Sequence, residues 1–284
     1  MTPTGCIRRA RRSGAEPVAQ RLAVIADCHG NADALRAVLA DIDREGAARI
    51  YNLGDHASGP LAAQETLSLL RGRADMLSIR GNHDRYLLGD PARMGPSDAV
   101  ARAQLGAAEL DWLAALPATA REGEVHLCHG VPTSDLRYWM QAVTSAGQVV
   151  LRPLAEVASE IPAGEAAEVH LCGHSHLPGS LQVPQGSLIV NPGSVGLPAY
   201  DDHQPVPHVV ESGDPAARYA LIERGAAGWV VSHRRVPYDP SRMVALARRH
   251  GREDWAHALA TGWFPRSPAG QGATGRPAAG ATGP

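Results

Sequence analysis

Short apolar segments, each followed by turn residues, recur along the chain and predict buried β-strands. These segments are RLAVIAD (21–27), ARIYNLGD (48–55), ADMLSIRGNHD (74–84), EVHLCHG (124–130), EVHLCGHSH (168–176), GSLIVNPGS (186–194), ARYALIE (217–223) and GWVVSHRRV (228–236). Helical patterns lie between several of them. This alternation of strand and helix is typical of an α/β layered domain.

Apolar residues at helical spacing predict the helices. In the stretch 31–47, Leu35, Val38, Leu39 and Ile42 form one apolar stripe. Similar spacing predicts helices in 60–71, 97–116 and 240–250.

The later strand-like segments have the pattern of hairpins and indicate a second, partly antiparallel sheet. They are 181–183, 187–190, 218–222 and 229–236. The polar stretch 199–216 between them predicts an irregular surface loop.

The ends of the chain differ from its middle in composition. Residues 1–19 are polar and rich in Arg, and residues 263–284 are rich in Gly, Ala and Pro. Such segments cannot bury a core, so we expect a disordered arm and a disordered tail. No linker interrupts the segment between them, which predicts a single domain over 20–262.

Composition and charge exclude several classes of protein. The net charge of −2 gives no indication of a nucleic-acid partner or a membrane surface, and no apolar run is long enough for a transmembrane helix. All 27 basic residues are Arg, so mechanisms that need a lysine are excluded. The four cysteines fit neither zinc-knuckle spacing nor a disulfide scaffold, which favours a reducing cytoplasm.

Polar residues with metal-binding side chains follow most of the early strands. They are Asp27 and His29, Asp55 and His56, Asn82 to Asp84, His129, and His174 and His176. Ligands of open α/β sheets gather at the carboxyl ends of strands, and bound cations would offset the cost of burying these groups. Two divalent cations need a bridging anion. Asp55 is the natural candidate, because we expect its strand to lie centrally.

The motifs DCHGN, GDHASGP, GNHD, CHG, GHSH and NPGSVG, in this order across about residues 20–240, resemble the calcineurin-like metallophosphoesterase superfamily. GNHD instead of GNHE, and GDHASGP without an Asp-Arg-Gly, are more similar to its small prokaryotic phosphodiesterase branch than to the protein phosphatases. The resemblance implies a four-layer α/β/β/α sandwich with two mixed β-sheets flanked by helices.

The resemblance also implies a ligand set for two divalent metal ions. The first ion would be bound by Asp27, His29, Asp55 and His176, and the second by Asp55, Asn82, His129 and His174. Nitrogen and oxygen ligands suit Mn²⁺, our first choice, and also Fe, Zn²⁺, Ni²⁺ or Co²⁺.

In such a site, a metal-bridging hydroxide would hydrolyse a small phosphoester, most readily a nucleotide-type phosphodiester. His83 would stabilise the transition state and protonate the leaving group. Asp84 would orient His83 or hold the loop. The alternatives are a dinucleoside polyphosphate hydrolase, a phosphomonoesterase or a non-catalytic scaffold with the same fold.

For several residues, the sequence does not decide between contact with substrate and a structural role. His56 could line the pocket, and Asn191 could contact substrate or stabilise its turn. An Arg that follows NPGSVG in many relatives is missing here, so Arg85 or Arg137 could take its place as a phosphate contact. For Tyr138 and Trp139, a role in packing is favoured over stacking on a nucleotide base.

Two histidines and three cysteines are expected to be structural. His126 and His170 lie inside strands and are expected to be hydrogen-bonded core residues. Cys28, Cys128 and Cys172 are expected to pack as small apolar side chains at strand ends. The alternative is that they make the site sensitive to oxidation.

Overall fold

The structure of the protein is a computed structural model that describes residues 21–165 and 167–266. The arm predicted at 1–19 and most of the tail predicted at 263–284 lie outside these residues. Trp263 to Arg266, at the start of that tail, are described, and the Phe264 amide donates a hydrogen bond to Glu211 Oε1 at 2.9 Å.

The strands, in chain order, are β1 (Arg21–Ile25), β2 (Arg49–Asn52), β3 (Met76–Ser78), β4 (Thr119–Glu122), β5 (Val125–Cys128), β6 (Gln141–Val143), β7 (Val149–Leu151), β8 (Val169–Leu171), β9 (Gly179–Gln182), β10 (Leu188–Asn191), β11 (Ala199–Asp202), β12 (His208–Glu211), β13 (Ala217–Gly225) and β14 (Gly228–Val236). The helices are α1 (Ala32–Glu45), α2 (Ala63–Arg71), α3 (Asn82–Leu87), α4 (Pro96–Arg102), α5 (Ala107–Ala115), α6 (Leu154–Ser159), α7 (Ser241–Arg249) and α8 (Glu253–Thr261).

Two five-stranded mixed sheets form the centre of the fold. The first sheet has the order β14-β13-β1-β2-β3, and the second has the order β4-β5-β8-β10-β9. In each sheet three neighbouring strands run parallel, β1 to β3 in the first and β5, β8 and β10 in the second. Antiparallel strands complete both sheets.

The alternation of side chains along the strands explains why the two sheets stack. Leu22 and Val24 of β1 pack with Leu127 of β5 and Leu171 of β8 in the core between the sheets. Ala23 and Ile25 of β1 point the other way and pack beneath α1. The outer face of the second sheet is covered by α6 and its own apolar cluster. These four layers confirm the predicted fold class.

Helix α1 shows how the chain connects these layers. Its buried residues include Leu35, Val38 and Ile42, which is the stripe that the sequence predicted. Asn31 caps the helix by accepting a hydrogen bond from the Ala34 amide, and Gly46 ends it in the left-handed conformation.

The assignment of the later strands to a second sheet was wrong for one pair. β13 and β14 form a hairpin that joins the first sheet, where β13 pairs antiparallel with β1. Of these four later segments, only the two that form β9 and β10 belong to the second sheet. Hairpin patterning identifies local pairs of strands, but the sheet that they join depends on contacts distant in sequence.

Two further segments differ from the prediction. The stretch 199–216 contains the hairpin β11–β12, with Tyr200 opposite Val210, where an irregular loop was expected. The helix predicted at 97–116 is divided into α4 and α5, because Gly106 adopts an extended conformation at the start of α5. None of the helices in the described part of the chain is long and apolar enough to cross a membrane.

Candidate metal centre

The turns after the parallel strands of both sheets meet at one edge of the seam between the sheets. The first sheet contributes Asp27 and His29 after β1 and Asp55 after β2, and the second contributes His129 after β5 and the His174–His176 turn after β8. Strand β2, which precedes Asp55, lies inside the first sheet between β1 and β3. The middle strand of this sheet is β1.

The backbone of these turns is strained where the candidate ligands lie. Among the described residues, the non-glycine residues with positive φ are Asp27 (56°), His29 (47°), Asp55 (56°), His174 (65°) and His176 (57°). Left-handed backbone is unfavourable for residues with a side chain and concentrates at functional sites. All five residues belong to the ligand set that the resemblance implies.

One candidate ligand group consists of Asp27, His29 and His176, which are all buried and whose ligand atoms all lie within 4.8 Å of one another. The Nε2 atoms of His29 and His176 are 3.2 Å apart, and His176 Nε2 is 3.3 Å from Asp27 Oδ1. These side chains therefore converge on one point.

The second group consists of Asp55, His129 and His174, with the same spread of ligand atoms. His129 Nε2 lies 3.3 Å from Asp55 Oδ2 and 3.0 Å from Asn82 Oδ1. The amide oxygen of Asn82 therefore joins this group.

Hydrogen bonds to backbone carbonyls determine the tautomers of three histidines. His29 Nδ1 donates to Ser58 O at 2.9 Å, His129 Nδ1 to Leu53 O at 2.7 Å, and His176 Nδ1 to Leu197 O at 2.9 Å. A neutral ring that carries its proton on Nδ1 directs the lone pair of Nε2 into the centre. This arrangement is typical of histidines that bind metals.

The donor set fits a pair of cations. The lone pairs of His29 and His176 face each other, and Asp27 Oδ1 is buried without a hydrogen-bond donor among the described residues. Such an arrangement is repulsive unless positive charge lies between the groups. Cations bound by these nitrogen and oxygen atoms would remove the repulsion.

Burial and neighbouring charges shift the pKa values of the same groups. Burial together with neighbouring positive charge lowers the pKa of His29 and His174 to about 4, so both rings are neutral at pH 7. Burial disfavours the charged form of His129, but Asp55 outweighs burial and raises the pKa of His129 to about 10. Burial also opposes the charge of Asp55, yet the surrounding histidines hold its pKa well below the usual range.

His83 lies beside the two groups with a side chain that is 34% exposed. Its Nδ1 is 3.0 Å from Asp98 Oδ1 and 3.2 Å from Ser58 Oγ, and its backbone amide donates to Asp55 Oδ1 at 2.9 Å. Burial disfavours its charged form, but Asp55 and Asp98 outweigh burial and raise the pKa of His83 to about 9.

The structure adds residues that the sequence did not indicate. Asp98, in the first turn of α4, is buried and accepts a hydrogen bond from Ser58 Oγ at 2.5 Å. Trp255 of α8 packs against the ring of His29, with ring centroids 6.0 Å apart. Neither residue is part of a recognisable motif, so no sequence signal pointed to them.

The Asp84 side chain holds the loop, and among the described residues no hydrogen bond joins its carboxylate to the His83 ring. Its carboxylate accepts hydrogen bonds from the amides of Asp55, His56 and Gly81 at 2.8–3.0 Å. Gly81 is required here, since a Cβ at this position would lie 2.2 Å from Asp55 Oδ1.

The candidate substrate contacts His56, Asn191 and Arg85 all have partners within the protein. His56 is fully buried, its Nδ1 is 2.8 Å from Asp84 Oδ2, and its ring packs against Trp112. Asn191 is buried and donates to Gly173 O at 2.7 Å. Arg85 forms two hydrogen bonds of 2.9 Å with Asp135.

The interpretation of His126 and His170 as hydrogen-bonded core residues needs correction. Both are buried on the outer face of the second sheet, with ring centroids 5.5 Å apart. However, His126 Nδ1 and both ring nitrogens of His170 lack hydrogen-bond partners among the described residues. The three cysteines near the ligands, Cys28, Cys128 and Cys172, are buried, and burial raises the pKa of each thiol.

Fold and site together define a class of protein: a four-layer α/β/β/α protein with two adjoining candidate metal sites at the seam between its sheets. A family model described as the calcineurin-like phosphoesterase superfamily domain matches residues 21–212, and the chain belongs to this superfamily. The predicted superfamily is thereby confirmed, and membership supports a phosphoester hydrolase.

Individual relatives agree with this assignment. A crystal structure of a metallophosphoesterase from Sphaerobacter thermophilus is 28% identical, with a TM-score of 0.65, and the match covers 86% of this chain and 100% of that chain. A hypothetical protein from Pyrococcus horikoshii has the same TM-score of 0.65 at 19% identity over 86% of this chain and 99% of that chain, which shows a shared fold.

A curated relative matches over a shorter segment. An uncharacterized protein of Methanocaldococcus jannaschii is 42% identical over 72 residues, which are 25% of this chain and 29% of that protein. The matched segment thus spans less than a third of this relative.

Proposed function

We propose that the chain is a phosphodiesterase that uses two divalent cations to hydrolyse nucleotide-type or other small phosphodiesters. The main observation that supports this proposal is the position of Asp55 between the two ligand groups. Its Oδ2 lies 3.8 Å from His29 Nε2 and 3.3 Å from His129 Nε2, so one carboxylate oxygen faces both ligand groups. A carboxylate shared in this way is what a pair of neighbouring cations requires.

The proposed ligands follow the two groups. Asp27, His29, Asp55 and His176 would hold the first cation, and Asp55, Asn82, His129 and His174 the second. When bound, two such cations neutralise phosphate oxygens and lower the pKa of a nucleophilic water. Mn²⁺ is the cation to test first, although the nitrogen and oxygen donors also suit Fe, Zn²⁺, Ni²⁺ or Co²⁺.

His83 is the proposed proton donor to the leaving oxygen. Because Asp98 accepts from Nδ1 at 3.0 Å, Nε2 is the ring nitrogen left to face a substrate. Its partial exposure beside the two ligand groups supports contact with a bound phosphoester. Proton transfer by a positioned group of this kind accelerates reactions by about 10²–10⁴-fold.

Asp84 and Asn191 have supporting roles in this proposal. Asp84 holds the amides around Asp55, and Asn191 fixes the turn that precedes His174 by donating to Gly173 O. We therefore propose both as positioning residues. The burial of His56 gives no support for a substrate contact.

The ion pairs of Arg85 and Arg137 favour a phosphodiester over a phosphomonoester as the substrate. Arg85 is paired with Asp135, and Arg137 is paired with Glu160. A phosphomonoester carries one more negative charge than a diester and gains more from a free guanidinium. Dinucleoside polyphosphate hydrolysis and monoester hydrolysis remain the alternatives within the enzyme class.

The proposal is tested with the purified full-length chain on bis(p-nitrophenyl) phosphate with Mn²⁺, with and without a chelator. We expect turnover that the chelator abolishes and that added Mn²⁺ restores. Cyclic nucleotides, dinucleoside polyphosphates and p-nitrophenyl phosphate then distinguish the substrate classes by kcat/KM. Absence of turnover with every divalent cation would instead support a non-catalytic scaffold.

A further inference from the structure

His174 is held differently from the other histidines of the centre. His29, His129 and His176 each donate Nδ1–H to a backbone carbonyl. Among the described residues, no hydrogen bond of this length joins the ring of His174 to a backbone carbonyl. The backbone of Leu136 makes only a looser hydrogen-bonding contact with this ring, which acts to raise the pKa of His174. His174 is also more exposed than the other members of the two ligand groups.

Two tyrosines contact His174 and its turn instead. The ring of Tyr138 lies against the ring of His174, with centroids 5.2 Å apart. The hydroxyl of Tyr200 donates to the backbone oxygen of His174 at 3.3 Å, and its ring packs on His176 at 4.6 Å. The His174–His176 turn, whose backbone is strained at both histidines, is thus held by aromatic side chains.

A hydrogen-bonded chain connects these tyrosines to the β11–β12 hairpin. His208 Nδ1 donates to Val206 O at 2.9 Å, so His208 Nε2 is an acceptor and receives the Tyr138 hydroxyl at 3.0 Å. The single proton of the Tyr200 hydroxyl is then shared between two acceptors, the Tyr138 oxygen at 2.7 Å and, more weakly, the carbonyl of His174 at 3.3 Å.

We propose that Tyr138, Tyr200 and His208 form a clamp that positions His174 as a ligand of the second cation. The clamp rests on the proposed pair of cations and adds residues outside the ligand set. These three are positioning residues, since they act through His174. Partners that orient a metal ligand from behind typically change metal affinity by about 10–100-fold when they are removed.

The clamp should act on one cation only. His174 belongs to the second ligand group, whereas His176 belongs to the first and keeps its own hydrogen bond to Leu197 O. A Tyr→Phe change removes the hydroxyl and keeps the ring that packs on the histidines. Loss of the Tyr200 hydroxyl should therefore loosen the turn at His174 and leave His176 in place.

The test measures Mn²⁺ binding to the full-length chain after removal of metal by chelation and dialysis. Calorimetric titration gives the number of ions and their affinities, and electron paramagnetic resonance distinguishes isolated Mn²⁺ from a coupled pair. The variants are Tyr200→Phe, Tyr138→Phe and, as a reference for complete loss of the ligand, His174→Ala. Tyr219→Phe is the matched control, because the buried Tyr219 hydroxyl donates to Asp41 Oδ2 at 2.7 Å.

We expect two ions in the wild-type chain and in Tyr219→Phe, both with full affinity. In Tyr200→Phe and Tyr138→Phe, one ion should bind about 10–100-fold more weakly, and it should be the ion that His174→Ala loses. Two ions at unchanged affinity in both tyrosine variants would overturn the clamp alone, as would equal weakening of both ions. Fewer than two ions in the wild-type chain would overturn the proposed centre and the clamp with it.

Discussion

Replacing His170 with leucine should make the fold more resistant to acid. His170 is fully buried in the outer layer of the second sheet, next to Trp139 and His126. Neither of its ring nitrogens has a hydrogen-bond partner among the described residues. Burial, reinforced by His126, lowers the pKa of His170 to about 4.

The sign and size of the effect follow from linkage between folding and protonation. The folded state keeps His170 neutral, whereas the unfolded chain binds a proton below pH about 6.5. The contribution of His170 to stability is therefore constant above that pH and falls as the pH drops toward about 4. At pH 5 the loss amounts to at most about 2 kcal/mol, since nearby solvent screens part of the shift.

Urea unfolding of wild type and His170→Leu at pH 8 and pH 5 checks this prediction. Histidines distant from His170 also titrate in this range, but their effects cancel in the difference between the two proteins. His126 contacts His170, so its coupling to His170 is part of the measured difference. The free energy of unfolding of the wild type should fall by up to about 2 kcal/mol more than that of the variant. His203→Leu, at an exposed histidine, should behave like wild type. An identical pH dependence in wild type and His170→Leu would refute the reasoning.

Two further predictions concern the proposed centre. Asp55→Asn, which removes the shared charge, should release both Mn²⁺ ions and abolish turnover, whereas His83→Ala should keep both ions and lower kcat by about 10²–10⁴-fold. Metal analysis of both variants checks this contrast, and an empty site in His83→Ala would contradict the division of roles. Asp98→Ala should keep both ions and lower kcat at least about 10-fold, most for poor leaving groups, because His83 loses the partner of its Nδ1. Asp90→Ala, at an exposed aspartate, is its control, and equal activity of the two variants would argue against a role for Asp98.

The candidate ligands could be found from the sequence because their geometry is local. Asp27 and His29 are two residues apart in one turn, as are His174 and His176, and each turn directly follows a buried strand. A strand followed by a tight turn has few possible shapes, so residue spacing carries most of the information. The two ligand groups therefore contain residues that the motifs had already indicated.

Features that depend on distant pairing could not be found in the same way. Asp98 reaches His83 from a separate helix, and its sequence context is that of an ordinary helix start. His56 directly follows Asp55, yet its ring turns away to Asp84. The β13–β14 hairpin joins the first sheet through long-range pairing with β1. In each case the side chain or strand had several plausible partners, and the packing of the whole domain selects one.

The distribution of ligands between the sheets ties metal binding to the fold. Asp27 and His29 of the first group follow a strand of the first sheet, whereas His176 follows a strand of the second. In the second group Asp55 comes from the first sheet, and His129 and His174 come from the second. Each proposed cation would thus link the two sheets at the edge of the apolar core that they share.

Because the unfolded chain cannot present these ligands together, the free energy of cation binding would add to the free energy of folding. Bound cations would offset the strain at the five positive-φ residues, all of which lie in the turns that follow these strands.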